Sequence, residues 1–246
     1  MPALQINRIS KSYRDDRVLN NIELEIQQGE SFGLIGLNGA GKTTLLKSIL
    51  HLHEVSTGDI FLFTIPQTQK QSRARLAYLP EKFSPPDFMT GWEYLHYIHA
   101  VHQCGYDKNT FIETSKMYCQ KLDLEISLLK KSVKSFSKGM NQKLGIIGVL
   151  MSDKDFLIMD EPMSGLDPRA RFLFKDIILE LRQAGKTLLF CTHLLNDVEQ
   201  LCDRMGILHK GSLRFIGTPE VCCRQYQAKN LEQAFLNCVG GDKPDP

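Results

Sequence analysis

The chain is organised around one stretch, Gly36-Leu37-Asn38-Gly39-Ala40-Gly41-Lys42-Thr43-Thr44. The apolar run at 32–35 predicts a strand before it, and apolar residues at helical spacing over 45–50 predict a helix after it. This order, with a Gly, four residues and Gly-Lys-Thr, is typical of a phosphate-binding loop. The backbone N–H groups of such a loop and the positive end of the following helix form an anion site. We therefore expect this stretch to bind nucleotide phosphates.

Two side chains of the loop indicate which phosphates it suits. Lys42 supplies a positive charge for the β- and γ-phosphates, and Thr43 offers a hydroxyl to Mg²⁺. A glycine-rich turn without a ligand is the alternative, and the predicted strand and helix on its two sides argue against it. The loop alone does not choose between a kinase, a GTPase, a motor and a transporter.

Length and composition limit the class of protein. The 246 residues suffice for one large domain or for a domain with an added lobe. The net charge of +2 predicts no general attraction to nucleic acid. No apolar stretch approaches the roughly 20 residues that span a bilayer, and residues 1–8 lack the apolar core of a signal peptide. The seven cysteines are scattered and odd in number, so we expect reduced thiols in a cytosolic protein.

Hydrophobic patterning predicts an α/β architecture. Alternation over 3–9 and 18–26 is typical of antiparallel strands, whereas the continuous apolar runs at 156–159 and 187–191 are typical of buried parallel strands. The clearest break is Ser84-Pro85-Pro86-Asp87. Beyond the break we predict helices over the segments 91–101, 108–122, 124–131 and a fourth that opens near 133 and runs to 151. The middle of the chain is therefore expected to be a helical lobe within a strand-rich domain.

Two acidic residues follow the apolar run at 156–159. Asp160 is predicted to lie at the carboxyl end of a strand, beside the phosphate loop if both strands share a parallel sheet. Its carboxylate can hold Mg²⁺ through water, opposite Thr43, and Glu161 is placed to polarise an attacking water. Two solvated acids at a strand end are the alternative. Ligands for a metal, a general base and a cation in one chain together favour hydrolysis of the nucleotide over binding alone.

A third element begins at Ser137, in Ser137-Lys138-Gly139-Met140. A serine and a glycine at the start of a helix form another anion site, here within the predicted helical lobe. The chain would thus carry two separate half-sites for the phosphates of one nucleotide. This suggests that two chains pair head to tail, so that each chain completes the nucleotide site of the other.

On these residues the sequence resembles the ATP-binding cassette (ABC) ATPases over essentially its whole length. The segment 36–43 is similar to the Walker A motif, 156–161 to Walker B with its following glutamate, and 136–140 to the signature Leu-Ser-Gly-Gly-Gln. The remaining matches are the D-loop, the switch histidine and the base-stacking aromatic, at Ser164-Gly165-Leu166-Asp167, His193 and Tyr13. From the residues alone Tyr13 reads as a core or surface aromatic, and the resemblance favours stacking on a base instead.

Two motifs depart from the family pattern. The signature has Phe136, Lys138 and Met140 where Leu, Gly and Gln are usual, and the Q-loop glutamine falls at Glu81. A carboxylate at Glu81 can still contact Mg²⁺ or water, but it adds negative charge near the phosphates. Both variants, and the tail at 230–236, resemble the subgroup that serves drug, antibiotic, ion and polysaccharide exporters.

The resemblance implies an α/β P-loop NTPase core of the RecA-like type. This core has a parallel sheet, an N-terminal antiparallel β subdomain and an inserted all-helical subdomain. It also implies one nucleotide-binding domain over 1–246. Its parts are expected to be an ATP-binding core at 1–84 and 153–218, a helical subdomain with the signature at 85–152, and a helical tail at 219–246.

The resemblance further implies ATP and Mg²⁺ as ligands. ATP would bind the whole loop 36–44, while Thr43, Asp160 and Glu81 would hold Mg²⁺. Lys42, Glu161 and His193 would be catalytic, and the signature at 137–140 would contact the ATP of a second cassette, identical or different. Transmembrane permease subunits are the other expected partners, with the protein peripheral on the cytoplasmic face of the membrane.

Two other classes of cassette ATPase are alternatives. A DNA-repair or chromosome-structure ATPase would need a coiled-coil insertion, and the sequence has no heptad run. A translation factor would normally carry two cassettes, and 246 residues hold only one. The sequence argues against a simple P-loop kinase, because such a kinase does not need the second anion site at Ser137.

Overall fold

The structure is a computed structural model that describes residues 1–14, 16–102 and 107–240. The chain forms two compact units. The first unit combines Met1–Arg75 with the chain from Gly185 onward, and the second unit is Leu76–Ala184. The predicted subdomain limits at residues 85, 152 and 219 stay a prediction.

The elements of the first unit up to Arg75 are strands β1 (Pro2–Tyr13), β2 (Asp16–Gln27) and β3 (Ser31–Ile35), helix α1 (Lys42–Ile49), strands β4 (Thr57–Leu62) and β5 (Ile65–Pro66), and a 3₁₀ helix at Lys70–Arg73. The second unit has β6 (Leu76–Leu79), α2 (Gly91–His102), α3 (Lys108–Lys121), 3₁₀ helices at Ile126–Lys130 and Val133–Ser135, α4 (Lys138–Met151), β7 (Phe156–Asp160) and α5 (Pro168–Gln183). The first unit then resumes with β8 (Thr187–Thr192), α6 (Leu195–Leu201), β9 (Arg204–His209), β10 (Ser212–Gly217), α7 (Pro219–Gln225) and α8 (Leu231–Gly240).

An antiparallel sheet opens the first unit, with the strand order β2-β1-β4-β5. Its register aligns apolar residues, since Leu4 lies opposite Ile26 and Ile6 lies opposite Leu24. All four side chains are buried, as expected when one face of a period-two strand packs on a core. The predicted antiparallel β region is confirmed.

The phosphate-loop strand β3 lies in the parallel part of the first unit. Its neighbours β8 and β9 both run parallel to it, and β10 completes the row through an antiparallel hairpin with β9. Every residue of β3 and of β8 is buried, which explains why their sequences are continuous apolar runs rather than alternating ones. The predicted parallel sheet is confirmed.

The second unit contains a parallel strand pair and a helical region. Strands β6 and β7 pair so that Leu79 lies opposite Met159. Every regular element that the structure describes between Gly91 and Met151 is helical, and α4 is buried along its last ten residues from Gln142 onward. This agrees with the predicted helical insertion.

Two helix predictions within this region were wrong in detail. The segment predicted as a helix over 124–131 is the 3₁₀ helix Ile126–Lys130. Asp123 has a left-handed backbone with φ +52°, which ends α3 and leaves a piece too short for a stable α-helix. The fourth helix begins at Lys138 rather than near 133, because the Ser137 side chain caps it.

The described part of the tail after Thr218 contains two helices, α7 and α8, as predicted. The Thr218 hydroxyl accepts from the N–H of Val221, and Pro219 fills the first turn of α7. The sequence also predicts a frayed end at 240–246, a segment that falls almost wholly outside the described residues. Among the described residues, no helix is both long and apolar enough to cross a bilayer.

Candidate nucleotide-binding site

The glycines of the loop after β3 are required by its backbone. A Cβ on Gly36 would lie 2.5 Å from the carbonyl oxygen of Leu208. Gly41 caps α1 with φ +107°, a conformation that side-chain-bearing residues rarely adopt, and Gly39 has φ +81°. The sequence pattern therefore reflects a tight backbone path with no space for larger residues.

Lys42 is folded back over this loop. Its Nζ donates to the carbonyl oxygens of Gly36 at 2.6 Å and Leu37 at 3.2 Å, and the residue is only 8% exposed. Gly41 offers no side-chain cap to α1, and the first turn contains no acidic residue. The positive end of α1 and a buried ammonium group thus share one loop, an arrangement that attracts an anion.

His193 leaves the same edge of the first unit as the phosphate loop. Ile35, the last residue of β3, lies opposite Thr192, the last residue of β8. Gly36 and the exposed His193 follow these two residues, so both emerge from the carboxyl ends of neighbouring parallel strands. This is the edge at which open α/β sheets bind ligands.

Tyr13 belongs to the first unit too, at the end of β1, and is 41% exposed. The β2 strand that follows it supports the loop, since a Cβ on Gly41 would lie 3.1 Å from the carbonyl oxygen of Val18. The Tyr13 hydroxyl forms a hydrogen bond with Nδ1 of His53. An aromatic ring with an exposed surface is thus available in the unit that carries the loop.

The acidic candidates lie in the second unit. Asp160 ends β7 and is 1% exposed, and Glu161 follows with a left-handed φ of +49°. Because Met159 lies opposite Leu79, Asp160 and Glu81 leave the carboxyl ends of adjacent parallel strands. The Glu161 carbonyl oxygen accepts from the N–H of Ser164, so a tight turn holds this backbone.

The signature and the D-loop pack against each other within the second unit. Ser137 caps α4 by accepting from the N–H of Met140 at 3.2 Å. A Cβ on Gly139 would lie 2.8 Å from the carbonyl oxygen of Gly165, and Lys138 Nζ donates to Ser164 Oγ at 3.3 Å. The glycine at 139 is required by this close approach, and Lys138 is used to join the two motifs.

The last residue of the D-loop has a local structural role. The Asp167 carboxylate accepts from the N–H of Ala170 at 2.8 Å and so caps α5. That hydrogen bond is the main reason why the pKa of Asp167 is lowered, and the nearby Lys143 ammonium adds to the effect. The last residue of the D-loop therefore fixes the start of α5.

Sequence reasoning missed two polar residues inside α4. Gln142 is 4% exposed and its Nε2 donates to the carbonyl oxygen of Pro162 at 2.9 Å. Lys143 donates to the carbonyl oxygen of Asp123 at 3.0 Å and lies 3.7 Å from the Asp167 carboxylate. The available signal was the run of three polar residues 141–143, directly before the apolar remainder of the helix.

Two side chains of the chain are of types that bind magnesium in nucleotide sites. Among the described residues no three His, Cys, Asp or Glu side chains cluster as a dedicated metal site. Mg²⁺ in phosphate sites needs only one or two protein ligands, with phosphates and water completing its shell. Each unit contains a side chain of that kind, the Thr43 hydroxyl in the first unit and the buried Asp160 carboxylate in the second.

Fold and site together define a P-loop nucleotide-binding protein. The model of the ABC transporter family matches residues 19–164, more than half of the chain. The chain belongs to this family, whose cassettes are ATPases.

Curated relatives agree with this assignment. The chain is 40% identical over 230 residues to the uncharacterized ABC transporter ATP-binding protein sll0415 of Synechocystis sp. (strain PCC 6803), covering 88% of this chain and 64% of that protein. It is 35% identical to the ABC transporter ATP-binding protein YthP of Bacillus subtilis, with 92% of each covered. It is 36% identical to the Nod factor export ATP-binding protein I of Cupriavidus metallidurans, covering 88% of this chain and 71% of that protein. The chain thus spans less than two thirds of the Synechocystis protein.

Solved structures share the fold. An ATP-binding subunit of an ABC transporter superposes with a TM-score of 0.89 at 29% identity, covering 96% of this chain and 99% of that one. The ATP-binding cassette MJ0796, solved as a dimer bound to ADP and Pi after hydrolysis, gives a TM-score of 0.81 at 19% identity, with 87% and 98% covered. The predicted ABC ATPase fold is confirmed.

Proposed function

We propose that this chain is the ATP-binding and ATP-hydrolysing subunit of an ABC membrane transporter of the exporter type. The observation that carries the proposal is the buried ammonium of Lys42, held on a glycine-rich loop at the positive end of α1. The loop 36–44 binds the phosphates of ATP, and the exposed ring of Tyr13 stacks on the base.

Magnesium would be held by Thr43 and Asp160, with Glu81 in contact with it directly or through water. When bound, Mg²⁺ neutralises charge on the phosphate oxygens of ATP. Burial of Asp160 supports this role, because a buried carboxylate needs a cation or strong donors to remain charged. Glu81 is exposed and so adapts its position readily.

Hydrolysis is assigned to Glu161, His193 and Lys42. Glu161 orients the attacking water and accepts its proton, and His193 donates a hydrogen bond to the γ-phosphate. Lys42 stabilises the negative charge that spreads over the transferred phosphoryl oxygens. The turn in which the Glu161 carbonyl oxygen accepts from the N–H of Ser164 supports this role, because it fixes the backbone that carries the carboxylate.

A second cassette, identical or different, completes each site in this proposal. The signature residues 137–140 contact the phosphates bound to the partner, and the D-loop 164–167 lies against them in the same chain. Closure of the dimer follows from ATP binding to the closed arrangement more tightly than to the open one.

The transport role requires transmembrane subunits supplied by another chain. We place the protein on the cytoplasmic face of a membrane, bound to such subunits through the segment 81–90. The Cupriavidus relative named for Nod factor export supports the exporter type. Roles in DNA repair or translation are not favoured, because the related proteins carry the name of transporter subunits.

Substitution of Glu161 by Gln tests the proposal. Loss of a general base lowers hydrolysis about 10²- to 10⁴-fold, while ATP binding is retained. Phosphate release and nucleotide titration are measured side by side. Glu180→Gln, on the exposed surface of α5, serves as the control and retains wild-type turnover. Near-normal hydrolysis by Glu161→Gln would contradict the assignment.

A further inference from the structure

The ring of Tyr13 is held by a residue from the segment that follows α1. Its hydroxyl forms a hydrogen bond with Nδ1 of His53, 40 residues away in sequence. The two rings meet edge to face, with centroids 5.7 Å apart and an interplanar angle of 82°. An edge-to-face contact plus a hydrogen bond fixes both the tilt and the rotation of the phenol ring.

His53 is in turn anchored to the end of the phosphate-loop helix. Its backbone N–H donates to the carbonyl oxygen of Lys47 at 3.2 Å, and the N–H of Leu52 donates to the same oxygen at 2.8 Å. Lys47 lies in the last turn of α1, and Lys42 in its first. One short helix therefore links the phosphate loop to the residue that holds Tyr13.

Further hydrogen bonds join β1 to this segment. The N–H of Ser56 donates to the carbonyl oxygen of Ser10 at 2.8 Å, and the N–H of Ser12 donates to Ser56 Oγ at 3.1 Å. These bonds fix the backbone next to Tyr13, whereas the His53 contact acts on the aromatic ring itself.

The charges around the pair favour a neutral imidazole. Lys11 Nζ lies 4.9 Å from the Tyr13 centroid, on one face of the ring. Partial burial, followed by the ammonium groups of Lys47 and Lys11, lowers the pKa of His53. A neutral imidazole accepts the phenol O–H at Nδ1, so these charges favour the hydrogen bond that holds the Tyr13 ring.

We propose that His53 is a positioning residue for the nucleotide base, holding the Tyr13 ring in the orientation on which adenine stacks. The inference rests on the proposed function, since it requires ATP in the loop 36–44. An aromatic ring that is already fixed loses little conformational freedom when a base stacks on it, so its contribution to affinity is larger.

Nucleotide titrations of four variants test this role, with ATP and inorganic tripolyphosphate as separate probes in the absence of Mg²⁺. His53→Ala and Tyr13→Phe each weaken ATP binding about fivefold, the usual effect of one lost hydrogen bond, and leave tripolyphosphate unchanged. The double variant is no weaker than either single variant, because both remove the same bond. His53→Gln restores ATP binding, because its amide oxygen accepts the phenol O–H. Glu54→Ala, the exposed neighbour, is the matched control and binds as wild type.

The outcomes distinguish failure of the role of His53 from failure of the proposed function. Additive losses in the double variant, equal losses for tripolyphosphate, or unchanged ATP binding by His53→Ala would each overturn the role of His53 alone. Wild-type protein that binds neither probe would overturn the proposed function and this inference with it.

Discussion

Two helices of this protein begin in glycine-containing turns, and they satisfy their first N–H groups differently. Gly41 at the start of α1 provides no side-chain acceptor, and the adjacent Lys42 turns back onto the loop carbonyls. Ser137 at the start of α4 caps its own helix through Met140, and the adjacent Lys138 reaches Ser164.

The difference indicates what each helix start is suited to bind. The start of α1 has no side-chain cap and has a buried cation beside it, which suits a primary phosphate site. The start of α4 is partly satisfied within its own chain and braced by the D-loop. It is better suited to close over a phosphate that is already held elsewhere.

Removal of the cation at the first helix start is expected to have the largest effect. Lys42→Ala should weaken ATP binding about 10- to 100-fold, because hydrogen bonds to charged groups contribute roughly 1.5–3 kcal/mol. Calorimetric titration measures the change. Lys70→Ala, an exposed lysine of the first unit, is the control. An unchanged affinity in Lys42→Ala would mean that the loop is not the phosphate site.

A bulky cation at the second helix start should abolish hydrolysis without abolishing ATP binding. Ser137→Arg keeps its phosphate loop, and Lys42→Ala keeps its signature, so a mixed dimer has one composite site with both halves intact. Co-expression of the two inactive variants should therefore restore part of the ATPase activity. Crosslinking of the mixture with ATP and without Mg²⁺ provides a second measurement.

The head-to-tail arrangement would be contradicted by a specific result of this mixing. Each variant is first shown to be folded by circular dichroism. A mixture that then has neither ATPase activity nor ATP-dependent crosslinks would exclude a signature that acts across the dimer.

The bracing of α4 by the D-loop predicts a smaller effect on stability. Gly139→Ala places a Cβ 2.8 Å from the carbonyl oxygen of Gly165, so backbone has to shift. Overpacking of this kind costs roughly 1–3 kcal/mol of the free energy of unfolding. Urea denaturation measures it, with Gly240→Ala as a control, since no atom lies within 4 Å of a Cβ there. If Gly139→Ala is as stable as the wild type, the close contact between the new Cβ and the carbonyl oxygen of Gly165 is relieved without cost.

The smallest effect is expected from removal of the cap itself. Ser137→Ala leaves the N–H of Met140 without its acceptor and should cost about 1 kcal/mol of the free energy of unfolding. Ser137→Asp, which restores an acceptor, should recover that stability. Thermal unfolding of the wild type, Ser137→Ala and Ser137→Asp measures these differences. Equal midpoints would show that the Ser137 hydroxyl does not stabilise α4.

The sequence predicted the parts of this molecule that local patterns encode. The glycine-rich loop and the apolar strands β3 and β7 were predicted at the correct positions, because burial on both faces leaves a continuous run. The prediction was wrong where a short piece, Ile126–Lys130, has helical composition but lacks the length to propagate.

Contacts between distant segments could not be predicted. Gln142 and Pro162, or Tyr13 and His53, carry no periodic signal that relates one to the other. Their partners follow from the tertiary fold alone. The roles of the candidate site residues therefore stay predictions until the substitutions are made.

The left-handed backbone at Glu161 has a consequence for the history of the chain. A residue with a Cβ in that conformation costs about 1–3 kcal/mol, and glycine there would relieve it. Selection for stability alone would therefore favour glycine over glutamate at this position. Under the proposed role of Glu161, the chain keeps this less stable backbone in exchange for the carboxylate, and a variant that no longer needs hydrolysis would gain stability from glycine here.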